Sequence, residues 1–250
     1  MYEKRSALSH TNLIRELRLE PSDWQNYLRM EEASYLWLLK QISSSIKREN
    51  TQLRTSITPH ERLSATLRFL ISGGTYSDLK FRTAISQPSL THIIPETCRA
   101  IIKVLKNFIK LPRNTHEWKN AATTFNQKWQ FPNCVGAVDG KLVRIASPAG
   151  SGSKYFNYKK FNSIVLMAVV DAEYKFMMCD VGGPGSESDA AFIQTTEFYK
   201  KLETGRLNLP DDQSPANSTQ ELPFVFVGDE AFALRKDFLK PFSKKQLNYE

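Results

Sequence analysis

The spacing of hydrophobic positions changes about halfway along the chain. Up to about residue 130 they recur at helical intervals, which predicts helices at 22–30 (capped by Ser22), 33–46, 58–72, 75–84 and 88–108. From Pro132 onward they form short runs, which predict strands at 134–138, 142–146, 163–170, 175–181 and 224–227, with helices at 188–202 and 233–239. An all-helical region is therefore expected to precede an α/β region.

One helix start in the first half carries two independent signals. Thr58 and Glu61 have the spacing of a capping box, and Pro59 occupies the first helical position between them. The same helix should end at Gly73-Gly74, since glycine accepts the left-handed conformation at a helix end. Pro95 lies inside the last predicted helix and should kink it.

Short helices separated by a tight break at 85–87 are typical of a helix-turn-helix. In that arrangement Ser89, Thr91 and His92, near the start of the third helix, would face a DNA groove. A plain helical bundle would show the same periodicity, so both interpretations stay open. We predict an N-terminal helical segment and linker at 1–57, a helix-turn-helix-like region at 58–130 and the α/β region at 131–250.

Charge separates the two halves as well. The net charge is +8, and residues 1–130 contain 20 Lys and Arg against 11 Asp and Glu, whereas residues 131–250 contain 14 against 15. A basic region is the footprint of a polyanion binder, although many soluble domains are basic without such a role. The longest apolar run, 164–170, suits a strand and no membrane span, so no membrane partner is expected.

Three aspartates stand at the ends of hydrophobic strand patterns or beside a glycine-rich stretch. Asp139 follows 134–138, Asp229 follows 224–228, and Asp189 comes after 182–186. Each one taken alone also fits a turn or a helix cap. Acids at the tips of buried strands are costly unless something pairs with them, and a divalent metal is one such partner. This is the arrangement required for two-metal cleavage of a phosphodiester.

The order of elements points to a fold that joins these acids. Three meandering strands followed by helix, strand and helix suggest a ribonuclease-H-like α/β fold. In that topology the first strand lies beside the strand that follows the first helix. Asp139 and Asp229 would then meet at one edge of the sheet, and Asp189 could reach the same side from the helix between them.

Several ordered segments resemble one known family, the PIF/Harbinger transposases and the Harbinger-derived nucleases of animals. The similarity spans roughly residues 20–250 and is carried by 61–70, Trp118, Phe125, 129–141, 151–159, 163–172, 185–189 and 228–232. Motifs of this length in the right order are far more specific than any single one. The resemblance implies a DDE-type nuclease domain preceded by a helix-turn-helix.

Matched by position, the resemblance makes Asp139, Asp189 and Asp229 the catalytic, metal-binding acids, with Mg²⁺ or Mn²⁺ as cofactor. One cation would activate the attacking water and the other would stabilise the leaving oxygen. The family's last acid is a glutamate on a helix beyond an Asn-Tyr motif. Here that motif is Asn248-Tyr249, followed by Glu250, so we expect the nuclease domain to be incomplete at its C-terminus and its final glutamate to be missing.

DNA is the expected partner, and a separate DNA-binding protein is considered as a second partner. Backbone phosphates would meet Lys141, Lys154, Lys159 and Lys160, although each is equally consistent with ordinary solvated lysine. The nucleus is the expected location, with the cytoplasm as the other compartment considered. Three functions stay open: a metal-dependent DNA endonuclease, a catalytically dead DNA- or protein-binding relic, and a fragment without stable activity.

Overall fold

The computed structural model describes residues 10–52, 55–215 and 219–242. The chain divides into two compact units, residues 1–107 and residues 108–250. The boundaries expected from sequence, after residues 57 and 130, do not coincide with this division. Asn248, Tyr249 and Glu250, on which the expectation of an incomplete domain rested, lie outside the described residues. No helix in the part of the chain described is long and apolar enough to cross a membrane.

The described part of the first unit is helical, as predicted. Its helices are α1 His10–Leu17, α2 Pro21–Leu28, α3 Glu32–Ile46, α4 Pro59–Ser72, α5 Tyr76–Thr83 and α6 Gln87–Leu105. Ser22 was expected to cap α2, and this was wrong. The helix begins one residue earlier at Pro21, with Glu20 at the cap position. Proline is favoured there because its fixed φ already suits the first helical turn.

The capping box of α4 is confirmed. The Glu61 amide donates to Thr58 Oγ1 at 3.2 Å, and the Thr58 amide donates to Glu61 Oε2 at 2.8 Å. Gly73 ends the helix with φ 60°, as its position predicted. These reciprocal bonds satisfy amides that no helical carbonyl can reach.

One core joins the first three helices to α4. Residues 61–67 of α4 are all buried, so this helix has neighbours on every side. The larger of two apolar clusters in this unit consists of Ile14, Trp24, Leu28, Tyr35, Leu38, Ile42, Ile46, Leu63, Leu67 and Ala100. Since α1, α2, α3, α4 and α6 all contribute to it, the segment before residue 58 folds with the helices that follow.

Helices α4, α5 and α6 follow one another where a helix-turn-helix was expected, and that motif stays a prediction beside a plain helical bundle. They surround a second apolar cluster that includes Leu79, Ile85 and Leu90. The turn between α5 and α6 contains Ala84 in the left-handed conformation, with φ 54°. Helix α6 runs without interruption through Pro95.

The second unit is built on a five-stranded mixed sheet. Its elements are α7 Thr115–Trp129, β1 Cys134–Arg144, β2 Ser163–Val170, β3 Phe176–Pro184, α8 Asp189–Thr195, α9 Glu197–Glu203, β4 Val225–Val227 and β5 Phe238–Leu239. The strand order is β3-β2-β1-β4-β5. Strands β1, β2 and β3 form an antiparallel meander, whereas β4 pairs in parallel with both β1 and β5. This order confirms the predicted ribonuclease-H-like α/β fold.

Three local predictions in this unit were wrong. The strands expected at 134–138 and 142–146 are one strand, because β2 pairs with β1 continuously from Ala137 to Arg144. The helix expected at 188–202 is two helices, since Thr196 adopts an extended conformation between α8 and α9. The helix expected at 233–239 is a turn leading into β5, where Phe238 pairs with Phe226.

Helix α7 belongs to the core of the α/β unit, whereas we had grouped it with the preceding helices. Its Trp118 is fully buried and meets Phe226 edge-to-face, with ring centroids 5.6 Å apart. The Trp118 indole N–H donates to the Leu207 carbonyl at 2.7 Å. Phe226 in turn packs edge-to-face against Phe198 of α9, at 5.0 Å. These rings connect helices α7 and α9 through the short strand β4.

Trp118→Ala should destabilise the second unit by about 3–5 kcal/mol, because it leaves a large cavity beside β4. Trp118→Phe should retain part of that stability and lose the hydrogen bond to Leu207, at a cost of about 1–3 kcal/mol. Urea unfolding followed by circular dichroism would measure both. Thr123→Ala, on an exposed face of the same helix, is the matched control. Equal stability of Trp118→Ala and the control would contradict this packing.

Candidate active site

Parallel pairing of β1 with β4 places two of the three predicted acids side by side. Ala137 is the partner of Val227, and two residues further along the same direction stand Asp139 and Asp229. Both side chains are exposed. Asp229 follows β4, as predicted. Asp139 does not end its strand, because β1 continues past it and pairs it with Ala168 of β2.

Local hydrogen bonds orient these two carboxylates. Asp139 Oδ1 accepts the amide of Gly140 at 2.8 Å, and Asp229 Oδ1 accepts the amide of Ala231 at 2.9 Å. Asp229 therefore does form a turn of the kind that its sequence context allowed. Asp139, in contrast, lies in a regular ladder, so the turn interpretation of Asp139-Gly140 is wrong.

Asp189 reaches the same place from the helix face of the sheet. It is the first residue of α8, and the cap is its neighbour, Ser188, whose Oγ accepts the Ala191 amide at 3.2 Å. The Asp189 carboxyl group lies directly over Gly140. A Cβ atom at position 140 would stand 2.1 Å from Asp189 Oδ1, so any side chain there would force the Asp189 carboxyl group to move away. Gly140 is thus required for the close approach of Asp189 to β1.

The charges of two of the acids act on the third, Asp189. The pKa of Asp189 is raised above its ordinary value of 3.8, first by partial burial, then by the charge of Asp229 and then by that of Asp139. The ammonium group of Lys159 acts in the opposite direction. Burial and neighbouring like charges both disfavour an ionised carboxylate. The cluster therefore concentrates negative charge at one place on the sheet, and a cation would relieve it.

The chemistry of the donors suits a hard divalent cation, since carboxylate oxygens are the ligands that Mg²⁺ and Mn²⁺ prefer. The space over Gly140 is filled by the Asp189 carboxyl group, so the backbone itself is shaped to admit that ligand. In the arrangement described, no three His, Cys, Asp or Glu side chains of residues 10–52, 55–215 and 219–242 are grouped closely enough to hold a metal.

The lysines expected to meet DNA are all exposed in the second unit. Lys141 lies on β1, two residues beyond Asp139, opposite Leu166. The other three, Lys154, Lys159 and Lys160, lie on the loop between β1 and β2. Of these four lysines, Lys159 is the one whose charge acts on the pKa of Asp189.

The candidate DNA-contacting residues of the first unit lie on the first turns of α6. Thr91 and His92 are exposed, as a groove-facing role requires. Ser89 is half-buried, and its hydroxyl is 2.8 Å from that of Ser86, the cap residue of the helix. Ser89 therefore supports the start of α6, and its contact with DNA stays a prediction.

Two residues that shape this region were not singled out from the sequence. Gly140 was interpreted as part of a turn, whereas its lack of a side chain admits Asp189. Asn157 was included only in a motif, yet it is the buried polar residue of the β1–β2 loop, with 3% of its surface exposed. The sequence offered one signal for it. Asn157 stands between Phe156 and Tyr158, and two lysines follow them.

Comparison with known proteins matches most of the second unit to a nuclease domain family. The family model of the DDE superfamily endonuclease domain matches residues 138–250. The Rattus norvegicus protein named "Putative nuclease HARBI1" is 26% identical over 205 residues, covering 82% of this chain and 54% of that protein. The Homo sapiens protein of that name is 25% identical over 169 residues, covering 68% and 48%.

A plant relative shows the same partial coverage. The Arabidopsis thaliana "Protein ALP1-like" is 28% identical over 188 residues, covering 74% of this chain and 45% of that protein. The chain thus spans about half the length of these curated relatives. No solved structure matches the chain.

Asp189→Asn should raise thermal stability at neutral pH in metal-free buffer, by about a few degrees. Since the folded-state pKa of Asp189 is raised, its contribution to stability is full below pH 3.8 and is lost as the pH rises through that raised value. The variant escapes this loss, so its advantage should shrink towards low pH. Thermal unfolding across pH in EDTA would measure it.

Asp180→Asn, which removes a carboxylate from β3, is the matched control and should show no such pH-dependent gain. A melting temperature of Asp189→Asn at or below that of the wild type at neutral pH would contradict the electrostatic account of the cluster.

Proposed function

Because the chain belongs to the Harbinger-derived nuclease family and carries a DDE superfamily endonuclease domain at residues 138–250, we propose that it is a metal-dependent DNA endonuclease. In this proposal Asp139, Asp189 and Asp229 are the catalytic, metal-binding acids. Mg²⁺ or Mn²⁺ is the cofactor, and DNA in the nucleus is the substrate.

The observation that carries the proposal is that Asp189, held over Gly140 of β1, lies close enough to Asp139 and Asp229 to feel both of their charges. The charges of Asp229 and Asp139 both raise the pKa of Asp189. Holding like charges together in a partly buried site lowers stability, and proteins retain such groups mainly where a function requires them. A role in holding the fold together does not account for this arrangement, since removing any one carboxylate would reduce the repulsion between the acids.

A divalent cation bound to these carboxylates would supply the charge stabilisation and water activation that phosphodiester hydrolysis requires. The residues of the chain position the reactants. The missing side chain of Gly140 leaves room for Asp189 to lie against β1. Backbone amides orient Asp139 and Asp229. The ammonium group of Lys159, whose charge acts on Asp189, would meet a backbone phosphate.

A second candidate function is DNA binding without cleavage. It is favoured by the local hydrogen bonds of Asp139 and Asp229, which satisfy one oxygen of each carboxylate without a cation. A relic of this kind would retain the basic surface and the helix-turn-helix-like helices and could act with a separate DNA-binding protein. Its affinity for DNA would fall with salt in proportion to the number of phosphates contacted.

Incubation of the purified chain with supercoiled plasmid tests the two candidates. Nicking is expected with Mg²⁺ or Mn²⁺ and not in EDTA. Asp139→Asn and Asp229→Asn should each lower the rate by at least about a hundredfold, because each removes a charged oxygen ligand. Asp180→Asn should nick like the wild type.

Folding of each variant would be verified by circular dichroism, and DNA binding by fluorescence anisotropy. If the folded wild type and Asp139→Asn leave the plasmid equally intact while both bind DNA, the endonuclease proposal fails and the second candidate stands. Equal nicking by both proteins would point to a contaminating nuclease and would likewise remove the support for a site at Asp139.

A further inference from the structure

The loop between β1 and β2 is built around one buried amide side chain. Asn157 donates from Nδ2 to Ser163 Oγ at 2.7 Å. Its Oδ1 accepts the amide of Lys159 at 2.9 Å and that of Phe161 at 3.3 Å. A buried polar group with all these partners fixes the surrounding backbone, because breaking any one of them leaves an unsatisfied atom. We call residues 153–162 the finger.

The finger ends in a tight turn. The Lys160 amide donates to the Asn157 carbonyl at 3.0 Å, and the Asn157 amide donates to the Phe161 carbonyl at 3.0 Å. Lys160 adopts the left-handed conformation, with φ 63°, which reverses the chain. Tyr158 and Lys159 are consequently placed at the tip of the turn.

Contacts with the start of β2 and the end of β3 hold the finger against the sheet. The Ser163 amide donates to the Tyr155 carbonyl at 2.8 Å, and the Gly185 amide donates to the Ser163 carbonyl at 2.9 Å. Ser186 Oγ donates to the Lys154 carbonyl at 2.7 Å. Residues 185–186 lead directly into α8 and Asp189, so the segment that holds the base of the finger also begins the helix that carries Asp189.

The side chain at the tip is an exposed aromatic ring. Tyr158 has 81% of its surface exposed, the largest exposed fraction among the large hydrophobic residues of the described chain. The Lys159 ammonium stands 5.4 Å from its ring centroid. Single exposed rings are ordinary on protein surfaces. Here, however, the ring is on a turn that the hydrogen bonds of Asn157 fix, and the base of that turn contacts Ser186, which leads into α8 and Asp189.

We propose that Tyr158 stacks on an unpaired nucleobase of DNA bound at the acidic cluster, while Lys159 holds the adjacent phosphate. The proposal rests on the DNA-nuclease function proposed above and names the substrate class: DNA with an unpaired or flipped nucleotide beside the site of cleavage. A rigid ring loses little entropy on binding, and stacking accepts any base because every base has a π-face. A base inside an intact duplex does not present that face.

The test uses a DNA duplex with one unpaired 2-aminopurine and the same duplex fully paired, both in EDTA so that no hydrolysis is required. The wild type should quench the unpaired 2-aminopurine and bind the duplex that contains it at least about fivefold more tightly than the fully paired duplex. Tyr158→Ala should lose the quenching and the preference, and Tyr158→Phe should keep both. Tyr174→Ala removes a ring with 71% exposure at the opposite end of β2 and is the matched control.

Tyr158→Ala that still quenches the probe, or that weakens binding to both duplexes equally, would overturn the proposal. Unfolding of the alanine variant is checked by its melting curve, and the phenylalanine variant keeps the test decisive in either case. Because the readout is binding in EDTA, a chain that stacks without nicking plasmid would refute the endonuclease and leave the finger's role intact. A chain that nicks plasmid but binds the two duplexes equally would refute the stacking role of Tyr158 and leave the endonuclease proposal intact.

Discussion

Parallel pairing between β1 and β4 is the constraint on which the second unit depends. The register that matches Ala137 to Val227 brings together two acids that are ninety positions apart in the chain. It is stabilised by apolar burial around Phe226, whose ring meets Trp118 on one side and Phe198 on another. Helices α7 and α9, which carry no candidate catalytic residue, thus hold the strands that do.

The acidic cluster shows how a site can lower the stability of the fold that carries it. Gly140 leaves room for Asp189, and the neighbouring carboxylates then oppose its ionisation. The fold tolerates this because the large apolar cluster on the helix face of the sheet is independent of the acids. In the proposed function, a cation would neutralise the acidic cluster, and the DNA backbone would meet the nearby lysine.

The two units bury their apolar side chains in different ways. In the first, α4 is surrounded by other helices, and short helices on either side share its core. In the second, one sheet provides the surface on which helices pack, and its connecting loops carry the polar residues. The finger is the clearest example, since Asn157 lets a polar loop hold a defined conformation without an apolar core of its own.

Local patterns in the sequence determined the type of most elements: the capping box at Thr58 and Glu61, the strand at 163–170, and the acids as candidates for a site. Tertiary contacts decided what local patterns do not encode. Asp139-Gly140 looks like a turn, yet it continues a strand because β2 pairs along its whole length. Residues 233–239 look helical, yet Phe238 joins the sheet because Phe226 offers a partner. Long-range pairing overrode local preference there, and the packing of α8 against the sheet placed Asp189 over Gly140.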